Sequence, residues 1–80
     1  MAREEVIKRL VPIMVETFEE EDIVYSDTLS ADDVEEWDSL SHIRFVVAVE
    51  REFKVRFTTS EIEGFKNAGE LVDALLVKLN

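Results

Sequence analysis

Eighty residues allow one domain whose small core covers only about 60% of the unfolded chain's surface, too little to wall a deep catalytic cleft. With no cysteine, the chain has neither disulfides nor a thiolate metal site. The net charge of −10 is concentrated between Glu16 and Asp38, where eleven acidic residues meet no Lys or Arg, and such a field repels nucleic acid and anionic membranes while drawing basic partners.

Helical spacing dominates the chain, and no repeat, linker or sustained strand alternation interrupts it. Val6, Ile7, Leu10, Met14 and Phe18 form an apolar stripe that predicts a first helix from Arg3 to Phe18. Pro12 lies inside it, so a kink or a shifted boundary is expected. The run Glu19-Glu20-Glu21-Asp22 opposes the helix dipole and marks the stop. From Ile23 to Trp37 the apolar residues have no helical period, and Ser and Asp favour turns. A compact domain carries so long a loop mainly when the loop is functional.

Asp38 is a good N-cap for a second helix that starts at Ser39 and runs to about Phe53. On a helical wheel Leu40, Ile43, Val46, Val47 and Phe53 share one face, widened by Phe45 and Val49. So broad an arc predicts a central helix, with Ile43, Val46 and Phe53 in the core. Thr58-Thr59-Ser60-Glu61 is a capping-box pattern for a short helix that Gly64 ends. Asn67-Ala68-Gly69-Glu70 opens a last helix with Leu71, Val72, Leu75, Leu76 and Leu79 inward and Lys78 at its favourable end. The predicted fold class is all-α, a small four-helix bundle of three main helices and one short one, within a single domain 1–80.

The common catalytic constellations are missing. A lone His42 excludes Cys/His dyads and His zinc sites, and its neighbours Ser39 and Ser41 do not face it on a helix. His42 therefore reads as a helix-surface or interface residue. The acidic loop lacks the Gly and the spacing of a calcium loop. The N-terminus shows no secretory signal, and the longest apolar run, Phe45 to Val49, is far too short to cross a membrane, so a cytoplasmic protein is expected. What remains is Asp38-Ser39-Leu40. Ser39 falls on the first turn of the central helix, where a phosphodiester would meet free amides and the positive end of the dipole.

Glu36-Trp37-Asp38-Ser39-Leu40, followed by Ile43, Val46-Val47 and Glu50-Arg51-Glu52-Phe53, resembles the phosphopantetheine attachment region of the acyl carrier protein superfamily. The likeness spans nearly the whole chain, with Leu29 and Val34 as loop anchors and Phe57 and Ile62 around the short helix. It implies that Ser39, flanked by Asp38 and Leu40, receives a covalent 4'-phosphopantetheine arm from coenzyme A through a phosphopantetheinyl transferase. The arm would present acyl or aminoacyl thioesters to loading and downstream synthase enzymes. By this resemblance the protein is a monomeric carrier with no catalytic residues and no metal of its own.

Two departures from the pattern matter. Glu36-Trp37 stands where carriers of primary fatty acid synthesis have Gly-Ala or similar. The segment from Ser39 to Lys54 sets Glu50 and Glu52 against Arg44, Arg51 and Lys54, whereas the corresponding helix of those carriers is markedly acidic. Electrostatic complementarity governs partner choice, so a specialised pathway such as polyketide or nonribosomal peptide assembly is expected, with Leu40, Arg44 and Val47 as the docking patch. The competing expectation is an unmodified acidic helical adaptor that binds a basic partner.

Overall fold

A computed structural model of the chain describes residues 1–79, which form four helices and no strand. Helix α1 spans Arg3–Phe18, α2 Ser39–Phe53, α3 Thr59–Gly64 and α4 Ala68–Leu79. Because α1 packs against both α2 and α4, it forms the spine of the bundle. Its stripe of Val6, Leu10, Met14 and Phe18 is fully buried, at the three-to-four-residue interval a helix face requires. Phe45, Val46, Val49 and Phe53 of α2 and Leu71, Val72 and Leu75 of α4 complete the core. Burial of each such side chain stabilises the fold by about 1.5–3 kcal/mol before entropy is counted.

Pro12 lies inside α1, which runs unbroken from Arg3 to Phe18, so of the two expected effects the shifted boundary does not occur. Pro12 is exposed, as is Lys8, whose carbonyl loses its usual donor, so water replaces that bond at little cost. The helix ends where Glu19 turns left-handed (φ 53°), its amide bonding to the carbonyl of Val15. Helix α2 ends in the same way at Lys54 (φ 56°), whose amide returns to Glu50. Both left-handed caps are built without glycine.

Between these helices, Arg9 clamps α1 to α2. Its Nη2 donates to Glu52 Oε2 at 2.7 Å and to the Glu52 carbonyl at 3.0 Å, while the guanidinium lies 4.7 Å above the Phe53 ring. On α2 itself the sequence expectation needs correction. Val46 and Phe53 are buried, but Ile43 is 53% exposed, and Leu40 and Val47 also face solvent. The apolar arc of α2 is wider than the strip that the bundle can cover, so its Leu40–Ile43–Val47 edge is left outside.

Residues 19–38 form an ordered loop. Ser26, Ser30 and Val34 carbonyls accept from Leu29, Asp33 and Trp37 amides, making three successive tight turns. The loop then docks on the start of α4. The Leu29 carbonyl accepts from Ala68 N at 2.8 Å and the Asp27 carbonyl from Gly69 N at 3.0 Å, satisfying amides that a helix start leaves free. Arg3 bridges Asp27 and Asp73, tying α1, the loop and α4 together. The hydroxyl of Tyr25 donates to Asp27 at 2.6 Å. That bond and the Arg3 guanidinium hold the Asp27 carboxyl below the usual range, whereas burial and the adjacent carboxylate push the Tyr25 hydroxyl up.

Candidate functional site

The approach to α2 is fixed by an aromatic anchor. Trp37 is buried, stacks on Phe18 with ring centres 5.0 Å apart, and meets Phe45 edge-on at 5.7 Å. The next residue, Asp38, has extended backbone, and its Oδ1 accepts from Ser41 N at 2.9 Å. The Ser41 amide, then its hydroxyl, keep the Asp38 carboxyl below the usual range, as expected for an anion at a helix N-terminus. Ser39 is the first residue of α2 and is exposed. A buried residue thus locks the chain two positions before a hydroxyl that stands in solvent.

His42 lies one turn on from Ser39, half-buried. Its Nδ1 accepts from the Trp37 indole Nε1–H at 3.1 Å, so the neutral ring carries its proton on Nε2, which donates to the Ile62 carbonyl at 2.7 Å. One imidazole therefore joins the loop, α2 and α3. It stacks on Trp37 with ring centres 6.1 Å apart. With both nitrogens engaged, His42 has no free lone pair to act as a base toward Ser39.

Helix α3 contributes no fully buried residue; Ile62 packs partly buried against the core, and polar ties secure the rest. Its capping box is complete: Thr58 Oγ1 accepts from Glu61 N, and Glu61 Oε1 accepts from Thr58 N at 2.8 Å. Glu61 also pairs with Lys78 of α4 at 3.3 Å. The Thr58 amide, with help from Lys78, keeps the Glu61 carboxyl low.

Ser39 sits where two surface grooves meet. One, of about 370 Å³, runs past Trp37, His42, Phe65 and Lys66. The other, of about 530 Å³, is lined by His42, Ile43, Thr59 and Ile62. An exposed hydroxyl at the positive end of a helix and open, largely apolar grooves suit a phosphodiester with a flexible arm, and Lys66 shares the first groove with the Asp38 and Glu63 carboxylates. A closed, water-excluding cavity of the kind that catalysis uses is not formed around it.

Of the residues singled out from sequence, Asp38, Ser39 and Leu40 stand together at the start of α2, with Leu40 59% exposed. Arg44 and Val47 lie further along its outer face, also exposed. Sequence reasoning missed Trp37 as a core residue and His42 as the bridge. A Trp two residues before a helix start, with a His five residues on, carried that signal.

A family model described as "Phosphopantetheine attachment site" matches residues 15–75. The solution structure of a holo acyl carrier protein from Geobacter metallireducens is similar at a TM-score of 0.86 and 36% sequence identity, covering 92% of this chain and 85% of that chain. No curated protein sequence gives a significant match.

Proposed function

The chain belongs to the phosphopantetheine-attachment family of carrier proteins, and we propose that Ser39 is the residue that bears its 4'-phosphopantetheine arm. The observation that carries this reading is the position of Ser39: an exposed hydroxyl on the first turn of α2, at the meeting of two grooves. The other serines differ. Ser26 and Ser30 face turn partners in the loop, Ser41 is half-buried, and Ser60 on α3 lines neither groove.

In attachment, the Ser39 oxygen would form a bond to the pantetheine-bearing phosphorus of coenzyme A as the pyrophosphate P–O bond breaks and adenosine 3',5'-bisphosphate leaves, and the hydroxyl proton would pass to a base. That base belongs to the transferase, since His42 is committed to Trp37 and Ile62. The first turn of α2 would hold the phosphodiester at the positive end of the helix dipole, in a groove lined by Lys66 and also by the Asp38 and Glu63 carboxylates. The buried Trp37, stacked on Phe18, anchors the chain two residues before the attachment point. When bound, the arm supplies a terminal thiol that carries acyl or aminoacyl groups as thioesters.

The protein then acts as a single-domain, monomeric cytoplasmic carrier, serving a transferase, a loading enzyme and downstream synthases rather than catalysing a step itself. No helix among the described residues is long and apolar enough to cross a membrane. Leu40, Arg44 and Val47 form the docking patch beside the arm, and their exposure on one side of α2 supports that role. With three basic and two acidic residues from Ser39 to Lys54, α2 suits a specialised pathway over bulk fatty acid synthesis.

Incubation with coenzyme A and a promiscuous transferase should add one arm to the wild type and none to Ser39→Ala, which should fold normally. An arm retained in the variant and mapped to another serine refutes the assignment. No arm on the wild type favours the adaptor reading instead.

A further inference from the structure

Nineteen acidic residues against nine basic ones leave every cation a ready choice of intramolecular partner. Three take one: Arg3 bridges Asp27 and Asp73, Arg9 holds Glu52, and Lys78 pairs with Glu61. The other six form no ion pair among the described residues, and four of them, Arg44, Arg51, Lys54 and Arg56, follow one another along α2 and its exit. All four are exposed.

The fold gathers these cations. Arg44 and Arg51 are seven residues apart, two helical turns, and so share a side of α2, where they line a groove with Glu16, Glu19 and Glu52; Arg51 also lines a second groove with Lys54 and Arg56. The left-handed turn at Lys54 reverses the chain, which brings Arg56 to the groove that Arg51 and Lys54 line. That groove measures about 520 Å³, with Val47 and Val55 as its apolar part. Its one acidic member, Glu50, accepts from the Phe57 amide at 2.8 Å and forms no ion pair with the cations, so a single carboxylate offsets only one of the three positive charges that line the groove.

We infer that the C-terminal half of α2 with residues 54–56 is a docking surface for an acidic protein segment, one presenting carboxylates around an apolar side chain. Charge complementarity selects this occupant: unpaired cations ring a small apolar floor on a chain that is negative elsewhere. A second copy of the chain is disfavoured by mutual repulsion at −10 each. A nucleic acid would bring phosphates against the acidic loop and finds no aromatic platform in the groove. The surface begins about 12 Å along α2 from Ser39 at Val47 and reaches about 18 Å at Arg51, so it can be occupied while the arm remains free. It extends the docking patch of Leu40, Arg44 and Val47 and gives it a partner chemistry, but it does not depend on which serine is modified.

The test uses the full isotope-labelled chain and a synthetic amphipathic helical peptide with Glu on one flank and Leu on the other. Net repulsion between two anions makes binding of this peptide anywhere on the protein unfavourable, so a localised response is informative. Amide shifts should move at Val47, Arg51, Lys54, Val55 and Arg56, and the effect should fade as sodium chloride rises. Arg51→Glu combined with Arg56→Glu should lower affinity at least about tenfold. Arg51→Gln with Arg56→Gln should give a smaller loss in the same direction. Arm attachment, scored by mass in the same samples, reports on Ser39 and is independent of this result. Shifts centred on Lys8 or Lys66, unchanged affinity in both double variants, or equal binding of the Lys-for-Glu peptide at the same residues would overturn the inference. So would concentration-dependent dimerisation in sedimentation that the double variants abolish.

Discussion

Gly69 and Asp27 approach so closely that no side chain fits between them. The Gly69 amide donates to the Asp27 carbonyl at 3.0 Å, and a Cβ on Gly69 would stand 2.7 Å from that oxygen and 2.9 Å from the Asp27 Cβ. The obstacle is backbone, which cannot rotate aside. Gly69→Ala should therefore push the loop off the start of α4 and destabilise the protein by about 1–3 kcal/mol, despite alanine's better helix propensity. Denaturant unfolding measures this, and an unchanged or raised midpoint would contradict the packing.

Phe53 and Ile43 separate the covered face of α2 from the exposed one. Phe53→Ala removes a ring that is 5% exposed and should cost about 3–5 kcal/mol, a large share of the stability of so small a domain. Ile43→Ala, at 53% exposure, should stay within about 1 kcal/mol of wild type. Similar losses at both positions would show that α2 is rotated from the orientation described.

His42→Ala should strand the Trp37 indole donor and release the Ile62 carbonyl. A loss of about 1–3 kcal/mol is expected for a part-buried pair. The diagnostic readout is local: hydrogen exchange should accelerate in α3 while the amides of α1 remain protected. Uniform acceleration across the bundle would argue against a bridging role.

Acid should weaken the fold through its capping and bridging carboxylates. The carboxyls of Asp27, Asp38 and Glu61 are each more acidic when folded than their ordinary values. Their contribution is thus complete above about pH 4, where the unfolded groups ionise, and is lost as pH falls through the lower folded values. Chemical denaturation midpoints should drop in that window, and Asp38→Asn should flatten the drop. A midpoint that keeps rising as pH falls below 4 would contradict this linkage.

The helices were legible because their signals are local. The interval of Val6, Leu10, Met14 and Phe18, the cap at Asp38 and the Thr58–Glu61 box each lie within a few residues, and the bounds of α1 and α2 match those expected. Ile43 was misplaced because a wheel shows which residues are apolar, and only the neighbouring helices decide how much of that arc is covered. The Trp37–His42–Ile62 and Gly69–Asp27 contacts join separate elements, so no single window of sequence contains them. Ser39 was singled out by its neighbours in sequence, whereas the grooves beside it depend on α3, which periodicity does not position.

The docking of loop carbonyls on α4 also sets an order of assembly. The turns at Ser26, Ser30 and Val34 can form as soon as their residues exist, but Asp27 and Leu29 must wait for Ala68 and Gly69. Such non-local pairings close late in folding, after the chain between them has been organised. During synthesis, then, α1 and α2 can meet while the stretch leading to Ser39 is still untethered on that side. Until α4 has left the ribosome that stretch lacks the two backbone bonds from Ala68 and Gly69, so its final shape is set after α1 and α2 have been made.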